Sequence, residues 1–229
     1  MIKVLQNWEE IGQAIITLQK SGLPLHETVQ KNWDHFLLYN ILAQENKNIK
    51  ILDLGCGNGL TLKLFLALGF LNIYGIDFKI NLDLRIKQIY KSLQAGLLKS
   101  PFHLYQGDIQ KTTFENEFFD FINCLSTIEH GINIKLLLNE VHRILKPNGL
   151  FFITTDYWEE TITTDKSDNL FGLPWKIFSK KEIVEVVDYA KEIGFELVDN
   201  SQIPQCSYKT VFWKRYDYTF IALLLKKTG

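Results

Sequence analysis

Apolar residues in this chain fall into short dense runs, separated by stretches in which they recur at helical spacing. The dense runs cover residues 49–54, 73–76, 102–106, 119–125 and 150–154, with two more at 195–198 and 218–225. Runs of this length read as strands, those without polar interruption as strands buried on both faces. Residues 60–68, 81–95, 134–145 and 180–193 carry the helical spacing. Gly69, Gly96 and Gly194 follow three of those stretches as stop signals. Lys146-Pro147-Asn148-Gly149 reads as a turn before the fifth strand. Ser179, with Glu182 three residues on, reads as a capped helix start. Strand and helix alternating in this way predict an α/β fold with a mostly parallel sheet and helices on both faces.

Two regions fall outside the alternation. Residues 1–48 show helical patterns around 8–18 and 33–42, and residues 156–178 are rich in Thr, Asp and aromatics. Both are expected to cap the carboxyl edge of the sheet, where ligands sit. The expected organisation is one domain over 1–229: a helical cap (1–48), a ligand-binding core (49–155), a substrate-side insertion (156–178), and a final helix and strand pair (179–229).

Composition narrows the function classes. A chain of 229 residues, 46% hydrophobic, can bury a sizeable core. Twenty-five basic and 26 acidic residues give a net charge of −1, which offers no basic footprint for long nucleic acid. No apolar stretch reaches membrane-spanning length, and the first eight residues hold no long apolar segment, so neither a membrane span nor a secretory leader is expected. Cys56, Cys124 and Cys206 have no paired spacing, which fits reduced thiols in a cytoplasm. His26, His35, His103 and His142 show no metal-ligand spacing, and no metal site is expected.

The candidate chemistry is concentrated in Ile51-Leu-Asp-Leu-Gly-Cys-Gly-Asn-Gly59. An apolar strand ends in an acid and three alternating glycines. Glycine lets the backbone turn sharply and approach a ligand closely, and the helix that follows presents free N–H groups. A dinucleotide fingerprint spaces its glycines G-x-G-x-x-G; here they stand at 55, 57 and 59. Asp77 closes the second strand, and Asp108 follows the third in Gly107-Asp108-Ile109. Acids at three successive strand ends suit a cofactor with a sugar, a base and a cationic group.

Residues 51–59, 73–78, 107–109, 119–130 and 141–155 resemble the ordered motifs of the class I S-adenosylmethionine-dependent methyltransferases. The run His142-Arg-Ile-Leu-Lys-Pro-Asn-Gly-Leu150 is especially characteristic, and Ile128-Glu129-His130 is similar to a subgroup many of whose members methylate small molecules. The resemblance implies a single Rossmann-like, doubly wound, mostly parallel seven-stranded sheet with a C-terminal antiparallel strand. It implies S-adenosyl-L-methionine as cofactor and S-adenosyl-L-homocysteine as product. Gly55 and Gly57 are then expected against the methionine part, with Cys56 between them as a small packing residue. Asp53 is expected at the ammonium or fixing the loop, Asp77 at the ribose hydroxyls and Phe78 on the adenine face. Asp108 is expected at the adenine amino group, Ile109 packing on the ring, and Leu125 closing the site through its backbone.

Methyl transfer from a sulfonium needs placement more than acid–base help. His130, after the fourth strand, is the candidate base, since imidazole titrates near neutral pH; the alternative is that it only orients a loop or pairs with Glu129. Trp33, His35, Tyr157 and Trp158 are the candidate acceptor contacts, with His26, Asp156, Trp175 and Lys176 as further ones; aromatics of this kind also simply fill cores. The segment Leu125-Ser-Thr-Ile128 departs from the Asn/Asp-Pro-Pro-aromatic run of base amino-methyltransferases. The expected acceptor is an O or N atom of a small polar metabolite, such as a sugar or nucleotide-linked intermediate. Neither nucleic acid nor membrane is an expected partner, and the expected assembly is a monomer or homodimer. Two other classes stand beside this reading: a catalytically silent cofactor-binding partner subunit and an NAD-dependent oxidoreductase.

Overall fold

The computed structural model describes residues 1–80, 102–165, 167–169, 172–199 and 202–229. The expected helix over 81–95, with Gly96, lies outside the described residues. Chain order begins with a short strand β1 (Ile2–Val4), helix α1 (Trp8–Lys20), a 3₁₀ turn (Val29–Lys31) and α2 (Asn32–Leu42). Then follow β2 (Lys50–Leu54), α3 (Leu60–Ala67), β3 (Asn72–Asp77), β4 (His103–Gln106), β5 (Phe119–Leu125), α4 (Ile134–Ile144) and β6 (Leu145–Trp158). The last elements are β7 (Phe178–Ser179), α5 (Lys180–Glu192), β8 (Phe195–Leu197), β9 (Val211–Trp213) and β10 (Tyr216–Lys227).

The sheet runs in the order β1-β10-β6-β5-β2-β3-β4. From β6 to β4 every neighbouring pair is parallel. β10 lies antiparallel to β6, and β1, β8 and β9 pair antiparallel with β10. The chain leaves β2 towards β3 and β4 on one side and returns to β5 and β6 on the other. That reversal opens a crevice at the carboxyl ends of β2 and β5, where ligands bind in sheets of this kind.

Side-chain alternation divides the core between the two faces. On one face Leu52, Leu54, Ile122, Cys124, Ile153 and Leu223 pack with Leu137 and Val141 of α4 and Ile183 and Val187 of α5. On the other, Ile51, Ile73, Phe121, Phe152 and Phe220 pack with Ile11, Leu18, Leu38, Leu42 and Phe65 from the first three helices. Among the described residues no helix is long and apolar enough to cross a membrane.

Two expectations change. Residues 1–48 are not purely helical: Ile2, Lys3 and Val4 pair with Leu223, Ala222 and Ile221 and make the sheet edge. The fifth core strand is also longer than 150–154. Leu145 already pairs with Phe119, and the register shifts before Leu150 pairs with Phe121, so the Lys146–Gly149 turn is a bulge within the strand. At its far end Thr155, Asp156 and Tyr157 pair with β10. Asp156, Tyr157 and Trp158 thus belong to the strand rather than to an insertion.

The start of α5 has the expected capping box. Ser179 N–H and Oγ donate to Glu182 Oε2 at 2.9 and 2.8 Å, and the Glu182 amide donates back to Ser179 Oγ at 3.4 Å. Ser179→Ala removes the partner of that amide and should cost about 1 kcal/mol. Urea denaturation measures it, and an unchanged midpoint contradicts this role for the cap.

Candidate functional site

The loop after β2 is built on left-handed backbone at Gly55, Gly57 and Gly59, with φ of 78°, 45° and 73°. The Gly55 and Cys56 amides donate to the Ile76 carbonyl at 2.8 and 3.1 Å. The Gly57 amide donates to Asp77 Oδ2 at 2.9 Å, and the Lys79 amide to Oδ1 at 3.0 Å. The end of β3 therefore holds the loop through its backbone and through one carboxylate. Each Asp77 oxygen retains accepting capacity for a further donor.

The glycines serve different ends. A Cβ on Gly55 would lie 2.4 Å from Thr127 Oγ1, so this position is closed by packing. A Cβ on Gly57 would meet only the Gly55 carbonyl, at 4.0 Å, so the loop is open on that side. Cys56 is buried, and its thiol is pushed well above the usual range by burial, with Asp53 and Asp77 adding to it. It packs close against Gly75.

Asp53 lies beneath the loop, fully buried, with Asn123 Nδ2 donating to its Oδ1 at 2.6 Å. Burial pushes its carboxyl up to about 8, against the pull of Asn123 and with Asp77 adding to the rise. Asn123, one strand over on β5, is a site residue the sequence reading missed. Asp77, Phe78, Asp108 and Ile109 come together along the ends of β3 and β4, tied by the Gly107 amide on the Asp77 carbonyl at 2.9 Å. Phe78 is 53% exposed and Ile109 is buried. Asp108 Oδ1 accepts from the Gln110 amide at 2.8 Å and from its side chain at 3.1 Å. Across the loop, the Leu125 carbonyl accepts from Thr127 Oγ1 at 2.9 Å.

The acceptor candidates are placed less uniformly. Trp33 is turned into the core, its indole N–H donating to Glu10 Oε2 at 3.0 Å; the structure makes it a packing residue. His35 is also buried, edge-on to His26 with ring centroids 5.5 Å apart, and burial pushes it down to about 3. Tyr157 is wholly buried in the core beneath α4 and α5. Trp158 is half-buried, its ring under Lys209 Nζ at 4.6 Å. A strand that continues through 157 and 158 sends these two rings to packing positions instead of a loop surface.

His130 follows β5, but burial, reinforced by the Lys31 charge, lowers it to about 4. The expectation that it titrates near neutral pH gives way to an imidazole neutral at pH 7 and weakly basic. Its neighbour Glu129 is fully buried, accepts from Thr155 Oγ1 at 3.0 Å, and is pushed up to about 8 by burial and by Asp156. Lys31 was missed altogether. Its Nζ donates to Ser126 Oγ, lies 3.6 Å from Asp34 Oδ2 and 3.8 Å from Asp156 Oδ1, and sits 3.5 Å above the Phe220 ring. Local pattern gives no sign of a contact made across 95 residues.

The doubly wound sheet, the glycine loop at its crevice and the acids at three strand ends define a class I S-adenosylmethionine-dependent methyltransferase fold. Residues 52–153 match the methyltransferase domain family. The sterol 24-C-methyltransferase of Debaryomyces hansenii is 28% identical over 178 residues, covering 72% of this chain and 44% of that protein. The chain spans about half the length of the curated relatives it matches. A solved S-adenosylmethionine dependent methyltransferase from Mesorhizobium loti has a TM-score of 0.57 at 16% identity, covering 84% of this chain and 97% of that one. Phosphoethanolamine N-methyltransferase 2 of Haemonchus contortus, in complex with S-adenosyl-L-methionine, has a TM-score of 0.62 at 14% identity, covering 86% and 52%. At these identities the structural likeness is one of fold.

The raised carboxyls have a consequence for stability. Asp53 and Glu129 rise from ordinary values of 3.8 and 4.5 to about 8, so between those limits the folded chain binds protons that the unfolded chain has lost. Their contribution to stability is full at low pH and is lost as pH rises through 8. The melting temperature should fall between pH 5 and 9, and Asp53→Asn with Glu129→Gln should flatten that fall. An equal slope in the double variant contradicts the assignment.

Proposed function

We propose that this chain transfers a methyl group from S-adenosylmethionine to an O or N atom of a small polar acceptor, by in-line displacement. The observation that carries the reading is the open glycine loop braced by Asp77. A backbone without Cβ atoms beside carboxylate oxygens that can each accept a further donor fits a nucleoside joined to an amino acid. When bound, that cofactor supplies a methyl group already activated by its sulfonium charge. Gly57 and its neighbours offer backbone to the amino-acid part, and Asp77 offers acceptor oxygens to the ribose hydroxyls. Asp108 and Ile109, with Phe78 opposite, offer an acceptor and two apolar faces to the base. Asp53 and Asn123 hold the loop from below.

The acceptor side supports a polar substrate. Three buried carboxylates and a lysine meet beside the end of β5, where an apolar acceptor of sterol size would strand charges without partners. His130, neutral at pH 7, accepts a hydrogen bond from the acceptor and orients it; it is too weakly basic to drive deprotonation. An acceptor in the class of sugars or nucleotide-linked intermediates fits the polar lining.

Three substitutions test this reading. Asp77→Ala should weaken S-adenosylhomocysteine binding at least tenfold by calorimetry, since it removes both the ribose acceptor and the loop brace. His130→Gln, which retains a hydrogen-bond acceptor, should keep most turnover, whereas His130→Ala should lower it with cofactor affinity unchanged. Full S-adenosylhomocysteine affinity in Asp77→Ala would sink the cradle assignment. Cofactor binding without turnover across a metabolite panel would favour the partner-subunit reading.

A further inference from the structure

Lys31 stands in a cage whose composition is that of an ammonium receptor. Asp34 and Asp156 flank its Nζ at 3.6 and 3.8 Å, and the Phe220 face lies below it at 3.5 Å. Asp156 also accepts from the Trp175 indole at 2.8 Å and is bonded to Tyr218. Glu129, buried nearby, feels the charges of both Asp156 and Lys31. Aromatic faces combined with carboxylates recognise alkylated ammonium groups, because the ring quadrupole and the carboxylate charge attract a cation that water solvates weakly.

One lysine does not satisfy this cage. Two buried carboxylates, Asp34 and Asp156, flank a single ammonium whose charge a third, Glu129, also feels, and burial raises all three. The fully buried Thr154 hydroxyl bonds Asp34 from β6. Lys31 ends a three-residue 3₁₀ turn, and its side chain is 17% exposed.

The cage also borders the cofactor cradle. Ser126 receives the Lys31 ammonium, and the next residue, Thr127, closes against Gly55. We infer that the methyl acceptor is a small amine carrying an ammonium group, held by Asp34 and Asp156 over Phe220 in the place Lys31 fills in this structure. This deepens the proposed methyl transfer and rests on it. A protonated primary, secondary or tertiary amine first gives one proton to the carboxylates. Its nitrogen lone pair then forms the bond to the methyl carbon, while the carbon–sulfur pair stays on sulfur. The product is again an ammonium, with one more methyl group against the rings.

The test is calorimetry on the full chain saturated with S-adenosylhomocysteine. The probes are 2-(dimethylamino)ethanol and its uncharged carbon analogue, 3-methyl-1-butanol. The amine should bind at least tenfold more tightly than the alcohol. Asp156→Asn and Asp34→Asn should each weaken amine binding at least tenfold. Lys31→Ala should tighten it at least threefold, because the competing cation is gone. Equal binding of amine and alcohol, or weaker amine binding in Lys31→Ala, overturns the inference while leaving the methyltransferase reading intact. Those two readouts stand even where an Asp variant fails to fold. Failure of S-adenosylhomocysteine itself to bind overturns both.

Discussion

The hydrogen bond from the Gly57 amide to Asp77 Oδ2, 2.9 Å long, is the constraint around which this site is arranged. It ties the loop after one parallel strand to the end of the next. The Ile76 carbonyl, taking two more loop amides, makes the brace two-point. Left-handed φ at three glycines satisfies these bonds without steric cost, which a side chain at those positions would incur. The loop is thereby ordered before any ligand arrives, and preorganisation of this kind lowers the cost of binding.

Buried charge dominates the other half of the site. Around the carboxyl ends of β5 and β6, Asp34 and Asp156 share one ammonium, Glu129 is buried beside them, and none reaches the solvation that water would provide. Such an arrangement is weak evidence for stability, because desolvation offsets most of the Coulombic gain. His130 follows from the same setting, since burial and Lys31 together keep its imidazole neutral.

Much of the fold is legible in the sequence where the physics is local. The apolar run of β5 has the bounds the pattern gives, and Ser179 with Glu182 forms the box their spacing predicts. Chain order and right-handed crossover rules then give the sheet. Strand β1 escapes because three residues hold too few alternations to stand out. The extension of β6 escapes because Pro147, Asn148 and Gly149 signal a turn that the structure absorbs as a bulge. In the site, the glycines and strand-end acids are readable because backbone geometry demands them. Asn123 and Lys31 are not, since their partners lie 70 and 95 residues away. Trp33 and Tyr157 misled for a related reason: an aromatic looks alike in a core and in a pocket until its burial is known.

The central claim is that the loop braced by Asp77 is where the cofactor sits. Backbone amide NMR during titration with S-adenosylhomocysteine tests it most directly. The account predicts saturable shifts at Gly55, Gly57, Gly59, Phe78 and Asp108, with the amides of α5 and β8 unmoved. Shifts confined to residues away from the ends of β2, β3 and β4, or no saturable shift at Gly57, would contradict it.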